Sequence, residues 1–195
     1  MKESYDILIV GVGGQGTILT SNVLGEACLI EGKSVRGAET HGMAQRGGSV
    51  ETHIRINGIH GPLIPAGEAD IVIALELIEA LRFRHYSTPE GVMVVNRELI
   101  VPASVYAKKL EVPTMENILE RLSDSKPCVI DANALALQAG SALTQNIVMV
   151  GAASRYLPLS EHALREAVRR CVPEKTIDMN LAAFTLGRDA SASCR

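Results

Sequence analysis

One stretch constrains this chain more than any other: a short apolar run that ends in clustered glycines and then reopens as a helical pattern. Ile7 to Val10 are aliphatic, and Gly11, Gly13, Gly14 and Gly16 follow at once. Behind them Ile18, Leu19, Val23, Leu24, Ala27 and Leu29 recur at the spacing of one helix face, with Gly32 where such a helix should stop. A run this short and rich in β-branched residues reads as a buried strand. The unit is therefore strand, glycine turn, helix.

The theme repeats. "KSVRGA" is the next strand, short and partly polar. "ADIVIA" and "GVMVVN" read as buried strands, the first followed by a helix from about Glu76. Cys128 to Ile130 is another strand, leading into a helix capped by Asp131 or Asn133. "MENILERL" is a short helix, and everything from about Asn146 is helical, with a frayed tail at "DASASCR". The stretch around Pro102 and Pro113 is irregular. In residues 50–56, Val50, Thr52, Ile54 and Ile56 alternate with Glu51, His53 and Arg55, as in a half-exposed strand. Asn57-Gly58 is a tight-turn signal, so Ile59-His60 is expected to begin a return strand of an antiparallel hairpin. The expectation is one α/β domain over residues 1–195: three layers, a Rossmann-like and mostly parallel sheet, the inserted hairpin and a helical C-terminus.

Composition narrows the partners. A net charge of −3 gives no electrostatic case for nucleic acid or an anionic membrane, and aromatics at 3% with no Trp leave few stacking platforms. The apolar runs are too short to span a bilayer, and the charged first residues lack a signal core. A cytoplasmic location is expected. The four cysteines, Cys28, Cys128, Cys171 and Cys194, lack the tight spacing of metal or cluster motifs, so buried thiols without disulfides are expected.

In such a sheet the functional crevice lies at the carboxyl ends of the strands. Two segments fall there. The turn "GVGGQG", Gly11 to Gly16 including Gln15, matches a dinucleotide pattern and sits between strand and helix, where backbone can approach phosphate. The acid that would confirm it, binding a ribose hydroxyl, has Glu39 as its only nearby candidate, somewhat late and inside a polar loop. A packing turn is the plainer alternative. The second segment, "AETHGMAQRGGSV", concentrates Glu39, Thr40, His41, Gln45 and Arg46 beside Gly47 and Gly48. Arg46 suits a bidentate grip on phosphate or carboxylate, and His41 can titrate near neutrality. The alternative is a solvated loop. Its glycines and few apolar anchors predict mobility in isolation. No Ser or Cys sits in a nucleophile elbow, and His41, His53 and His60 fit no usual metal spacing. His53 is expected to be exposed.

Together, "GVGGQGTILTSNVLGEA" and "GAETHGMAQRGGSVETHIRI" resemble the gamma-type domain of the 2-oxoacid:ferredoxin oxidoreductases, the indolepyruvate type above all. "ADIVIALELIEALR", "VIDANALA" and the helical C-terminus extend that resemblance over nearly the whole chain. The resemblance implies a small subunit supporting oxidative decarboxylation of arylpyruvates to aryl-acetyl-coenzyme A, with electrons passed to ferredoxin. It implies a large alpha subunit that carries thiamine diphosphate, Mg2+ and iron–sulfur clusters, with coenzyme A as co-substrate and no cofactor held by this chain alone. It also implies that Glu39 to Gly48 face that partner, with Gln45 and Arg46 contacting phosphate, carboxylate or partner backbone. The competing readings are a stand-alone NAD(P)- or FAD-binding oxidoreductase domain and a purely structural interaction subunit.

Overall fold

A computed structural model describes residues 4–41, 47–107 and 111–194. Six strands form one mixed sheet: β1 (Tyr5–Val12), β2 (Val35–His41), β3 (Ser49–Ile56), β4 (Ala69–Ala74), β5 (Ser87–Asn96) and β6 (Cys128–Ile130), in the order β2-β3-β1-β4-β5-β6. β1, β4, β5 and β6 run parallel, whereas β3 is antiparallel to both β1 and β2.

Helices cover both faces. α1 (Thr17–Ile30), α5 (Ala132–Ala139), α6 (Gln145–Ala153), α7 (Glu161–Cys171) and α8 (Ile177–Ala190) share a core with Ile7, Ile9, Ile54, Ile71 and Ile73. On the other face α2 (Leu77–Phe83) and α4 (Met115–Leu122) pack Leu77, Ala80, Ile118 and Leu122 against Leu8, Val10, Val72 and Met93. The alternation of Ile7 and Ile9 with Leu8 and Val10 explains why β1 reads as an unbroken apolar run: both of its faces are buried. A further short helix, α3 (Ala103–Ala107), interrupts the stretch expected to be irregular.

Caps follow the sequence signals. Asp131 accepts the Ala134 N–H at 3.0 Å and starts α5, and Ser160 accepts that of Ala163 at 3.1 Å to start α7. Gly32 adopts φ +67° just past α1, where the Lys33 N–H returns to the Cys28 carbonyl. α6 is buried on every side because α8 crosses it backbone to backbone: a Cβ on Gly187 would lie 1.9 Å from the Val148 oxygen, and one on Gly151 2.0 Å from that of Phe184.

Three expectations fail for physical reasons. First, the antiparallel hairpin is β2–β3 and not β3 with a return strand. Asn57 does turn, with φ 54°, but its N–H and side chain bond back to Ser34 at the head of β2. The carbonyls of Ile59 and His60 accept from the Arg36 guanidinium instead of a strand. Second, the polar side of β3 is covered. His53 is 2% exposed and Arg55 5%, because the 57–68 segment folds over them. Ile64 N–H donates to His53 Nδ1 at 3.1 Å, and Arg55 makes a two-pronged bond to Asp6 at 2.9 and 3.1 Å while reaching the Gly61 carbonyl. Third, Cys128 and Cys194 form a disulfide with Cα atoms 5.2 Å apart, within the range such a bridge requires. The tail is therefore tied down through Cys194 and not frayed, and Ser191 is buried. Cys28 and Cys171 are free thiols, and burial pushes both of their pKa values up, that of Cys28 to about 11.

Candidate functional site

The two segments singled out from the sequence meet at one edge of the sheet. β1 ends at Val12 opposite Ser49, and β2 ends at His41 opposite Val50. The carboxyl ends of β1 and β2 and the start of β3 therefore lie together. Glu39, Thr40 and His41 belong to β2 itself and not to a loop, whereas Gln45 and Arg46 lie outside the described residues.

Backbone hydrogen bonds join the segments. Gly13 N–H donates to the Gly48 carbonyl at 2.8 Å, and Gly47 N–H donates to the Gly13 carbonyl at 3.3 Å. Gly14, Gly16 and Gly47 all take positive φ, at 108°, 86° and 74°. Those angles are the reason for glycine here, since a Cβ disfavours the left-handed region. At Gly16 there is also no space: a Cβ would stand 2.8 Å from Asn146 Nδ2. Gly13, Gly14, Gly16, Thr17, Ile18, Glu39 and Val50 line a cleft of about 410 Å³. Glu39 is exposed on its β2 side, and the next residue, Thr40, is exposed as well.

Gln15 points inward. Its Oε1 accepts the Val12 N–H at 2.8 Å, and its Nε2 donates to the Leu75 carbonyl at 3.0 Å and to Glu98 Oε2 at 2.8 Å. Asn96, at the end of β5 and 1% exposed, donates to the same Leu75 and Glu98 oxygens and to Gln145, while its Oδ1 accepts the Ala132 N–H that opens α5. This network ties the ends of β1, β4, β5 and β6 into one rigid edge. Sequence reading missed Asn96, Glu98 and Gln145. The signal available was a lone Asn closing the apolar run "GVMVV".

A second set of groups sits under the start of β3. The Ser49 hydroxyl donates to Glu79, which is 3% exposed, and Arg82 lies 3.5 Å from the same carboxylate. Glu76, fully buried, accepts the N–H groups of Glu79 and Ile100. Burial, and next the Glu79 charge, raise the pKa of Glu51. Burial chiefly raises that of Glu76, against the pull of its backbone donors. These carboxylates cap a helix and anchor a strand.

The arrangement tests the chemistry proposed from sequence. In a dinucleotide-binding fold the strand after the first helix pairs directly with β1. Here β3 lies between β1 and β2, and the Glu39 side chain lines the same cleft as the glycine turn, adding negative charge where a pyrophosphate would lie. Nor do the thiols fit an iron–sulfur cluster. Cys128 and Cys194 are bonded to each other, and among the described residues no three His, Cys, Asp or Glu side chains converge in a metal-binding group. No helix among them is long and apolar enough to cross a membrane.

The fold and this edge define a class: an α/β domain with a mixed six-stranded sheet, in which a glycine turn is braced against the start of β3. Residues 6–190 match the pyruvate ferredoxin/flavodoxin oxidoreductase family, and the chain belongs to that family of oxidoreductases. Among its relatives, the indolepyruvate oxidoreductase subunit IorB of Archaeoglobus fulgidus is 42% identical over 194 residues, covering 97% of this chain and 96% of that one. The subunit of the same name from Thermococcus kodakarensis is 42% identical over 197 residues, covering 98% and 97%. Two solved structures share the fold. The gamma subunit of a keto/oxoacid ferredoxin oxidoreductase from Geobacter sulfurreducens superposes with a TM-score of 0.72 at 24% identity, covering 97% of this chain and 99% of its own. A 2-oxoglutarate:ferredoxin oxidoreductase from Magnetococcus marinus superposes with a TM-score of 0.75 at 20% identity over all of this chain but only 32% of that one.

Proposed function

We propose that this chain is the small subunit of an indolepyruvate:ferredoxin oxidoreductase and supports the oxidative decarboxylation of arylpyruvates to aryl-acetyl-coenzyme A. The observation that carries this reading is likeness at 42% identity along essentially the full length of subunits bearing that name. The partner is a large alpha subunit. Thiamine diphosphate, Mg2+ and iron–sulfur clusters belong to it, coenzyme A is the co-substrate, and ferredoxin takes the electrons from the complex. Thiamine diphosphate supplies the carbon–carbon cleavage chemistry; this chain's residues bind, orient and shield.

The glycine turn and the Glu39–Gly48 segment form the face turned to the large subunit, near the entry of 2-oxoacid or coenzyme A. The brace between Gly13 and Gly48 supports this reading, because it fixes the end of a polar segment to a rigid sheet edge. Arg46 and Gln45 contact phosphate, carboxylate or partner backbone. Glu39, Thr40 and His41 form the β2 wall of the same surface.

Steady-state kinetics of the purified complex carrying Arg46→Ala test the site. Loss of one charge-assisted contact is expected to lower kcat/KM by about ten- to a hundredfold with assembly intact. Unchanged kinetics refute the placement.

A further inference from the structure

A second cleft, of about 770 Å³, opens at the opposite edge of the sheet, at the start of β5 and β6. Glu90, Asp124, Lys126, Tyr156 and both members of the Cys128–Cys194 disulfide line it. Cys128 opens the edge strand β6 and is 4% exposed, whereas Cys194 is half-buried. The bridge joins residues 66 apart and holds the last described turn of the chain against the sheet. Around it the polar contacts are few. The Tyr156 hydroxyl donates to the Cys194 carbonyl at 3.3 Å, Tyr5 donates to the Tyr156 carbonyl at 2.7 Å, and the Cys194 N–H reaches Ser191 at 3.1 Å. Without the covalent link, residues 193–194 keep the turn bonds to Ala190 and Ser191, the Tyr156 hydroxyl and the packing of Cys194 on the core, and the bridge is their one covalent tie to β6.

We propose that Cys128–Cys194 is a reversible thiol–disulfide latch, reached through this cleft by a small thiol, which fixes the C-terminal segment against β6 when closed and frees one wall of the cleft when open. This inference does not rest on the functional reading above. In opening, a thiolate of the small reductant attacks the sulfur of Cys194, the more exposed residue of the pair, and the Cys128 thiolate leaves. A second small thiol attacks the mixed disulfide, releasing the Cys194 thiolate and the oxidised small disulfide. Two small thiols thus supply the two electrons and two protons that the protein pair gains. Closure is the reverse exchange with the small disulfide. Compartments that keep thiols reduced favour such labile bridges over permanent ones.

The test poises the native full chain, in the complex in which it is isolated, across reduced and oxidised glutathione. Samples are alkylated, read by intact and peptide mass, and compared by amide hydrogen exchange. The expected result is a two-electron transition between linked and free Cys128 and Cys194 without denaturant. Exchange across residues 188–194 should rise roughly tenfold or more in the reduced form while the β1 and β4 peptides stay unchanged. Cys194→Ser should show the fast exchange at every poise, and Cys28→Ser should leave the transition where it was. Three results would overturn the latch: no linked form at any poise, glutathione adducts in place of the link, or exchange across 188–194 that is the same in both forms.

Discussion

Gly13 and Gly48, 35 residues apart in sequence, share a 2.8 Å hydrogen bond that locks the glycine turn to the foot of the β2–β3 connection. That bond turns two separate motifs into one surface. It works only while the turn keeps its left-handed glycines.

The turn is therefore sensitive position by position. Gly14→Ala meets open space and bears only the backbone penalty, about 1–2 kcal/mol. Gly16→Ala adds a clash with Asn146 and should lose clearly more. Urea unfolding of the two variants decides the matter: equal losses would mean that Asn146 moves aside freely.

Thr52 predicts a gain. Its hydroxyl is fully buried beside Ile9 and has no hydrogen-bond partner among the described residues. Thr52→Val removes an unsatisfied polar atom at constant shape, so stability should rise by about 1 kcal/mol. A lower melting temperature for Thr52→Val would show that the hydroxyl is satisfied in solution.

The α6–α8 crossing predicts a contrast between glycines. Gly187→Ala drives a methyl into the Val148 carbonyl and should cost roughly 3 kcal/mol or more, since two packed backbones must part. Gly25→Ala, in α1 with nothing within 4 Å, should be neutral or stabilising by about 0.5–1 kcal/mol. Chemical denaturation of both variants measures the difference directly.

His53 predicts a pH dependence. Burial first, and the Arg55 guanidinium second, hold its pKa below the ordinary imidazole range. Its Nδ1 accepts the Ile64 N–H, which leaves the proton of the neutral ring on Nε2, facing Glu51 at 4.0 Å. With the folded pKa depressed, the unfolded chain takes up a proton first. Stability is therefore highest above the imidazole range and falls as pH drops through it, from about pH 7.5 to 5.5. His53→Asn should flatten that part of the stability curve, and an unchanged slope would assign it to another group.

Much of this fold was legible because its buried strands are short apolar runs and its caps are strong local signals: Gly32 and Asp131 both act where the sequence places them. The misreadings are tertiary. The alternation in β3 is real, but the 57–68 segment that follows it folds back over its polar side, and Asp6 on β1 pairs with Arg55, so His53 and Arg55 are buried. Asn57 has the turn conformation expected of it and yet serves β2. The pairing of Cys128 with Cys194 depends on the course of α8 back to β6, which no spacing reveals. At the site, the glycine turn and the polar segment were visible as motifs. Their junction through Gly13 and Gly48, and the Gln15–Asn96–Glu98 network beneath, required the sheet order.

The most direct test of the central claim is anaerobic co-expression of this chain with the large subunit, followed by an assay of arylpyruvate- and coenzyme A-dependent reduction of ferredoxin. The account predicts a stable complex that is active with indolepyruvate and inactive when either chain is omitted. A large subunit that is fully active alone, or two chains that never associate under gentle conditions, would contradict it.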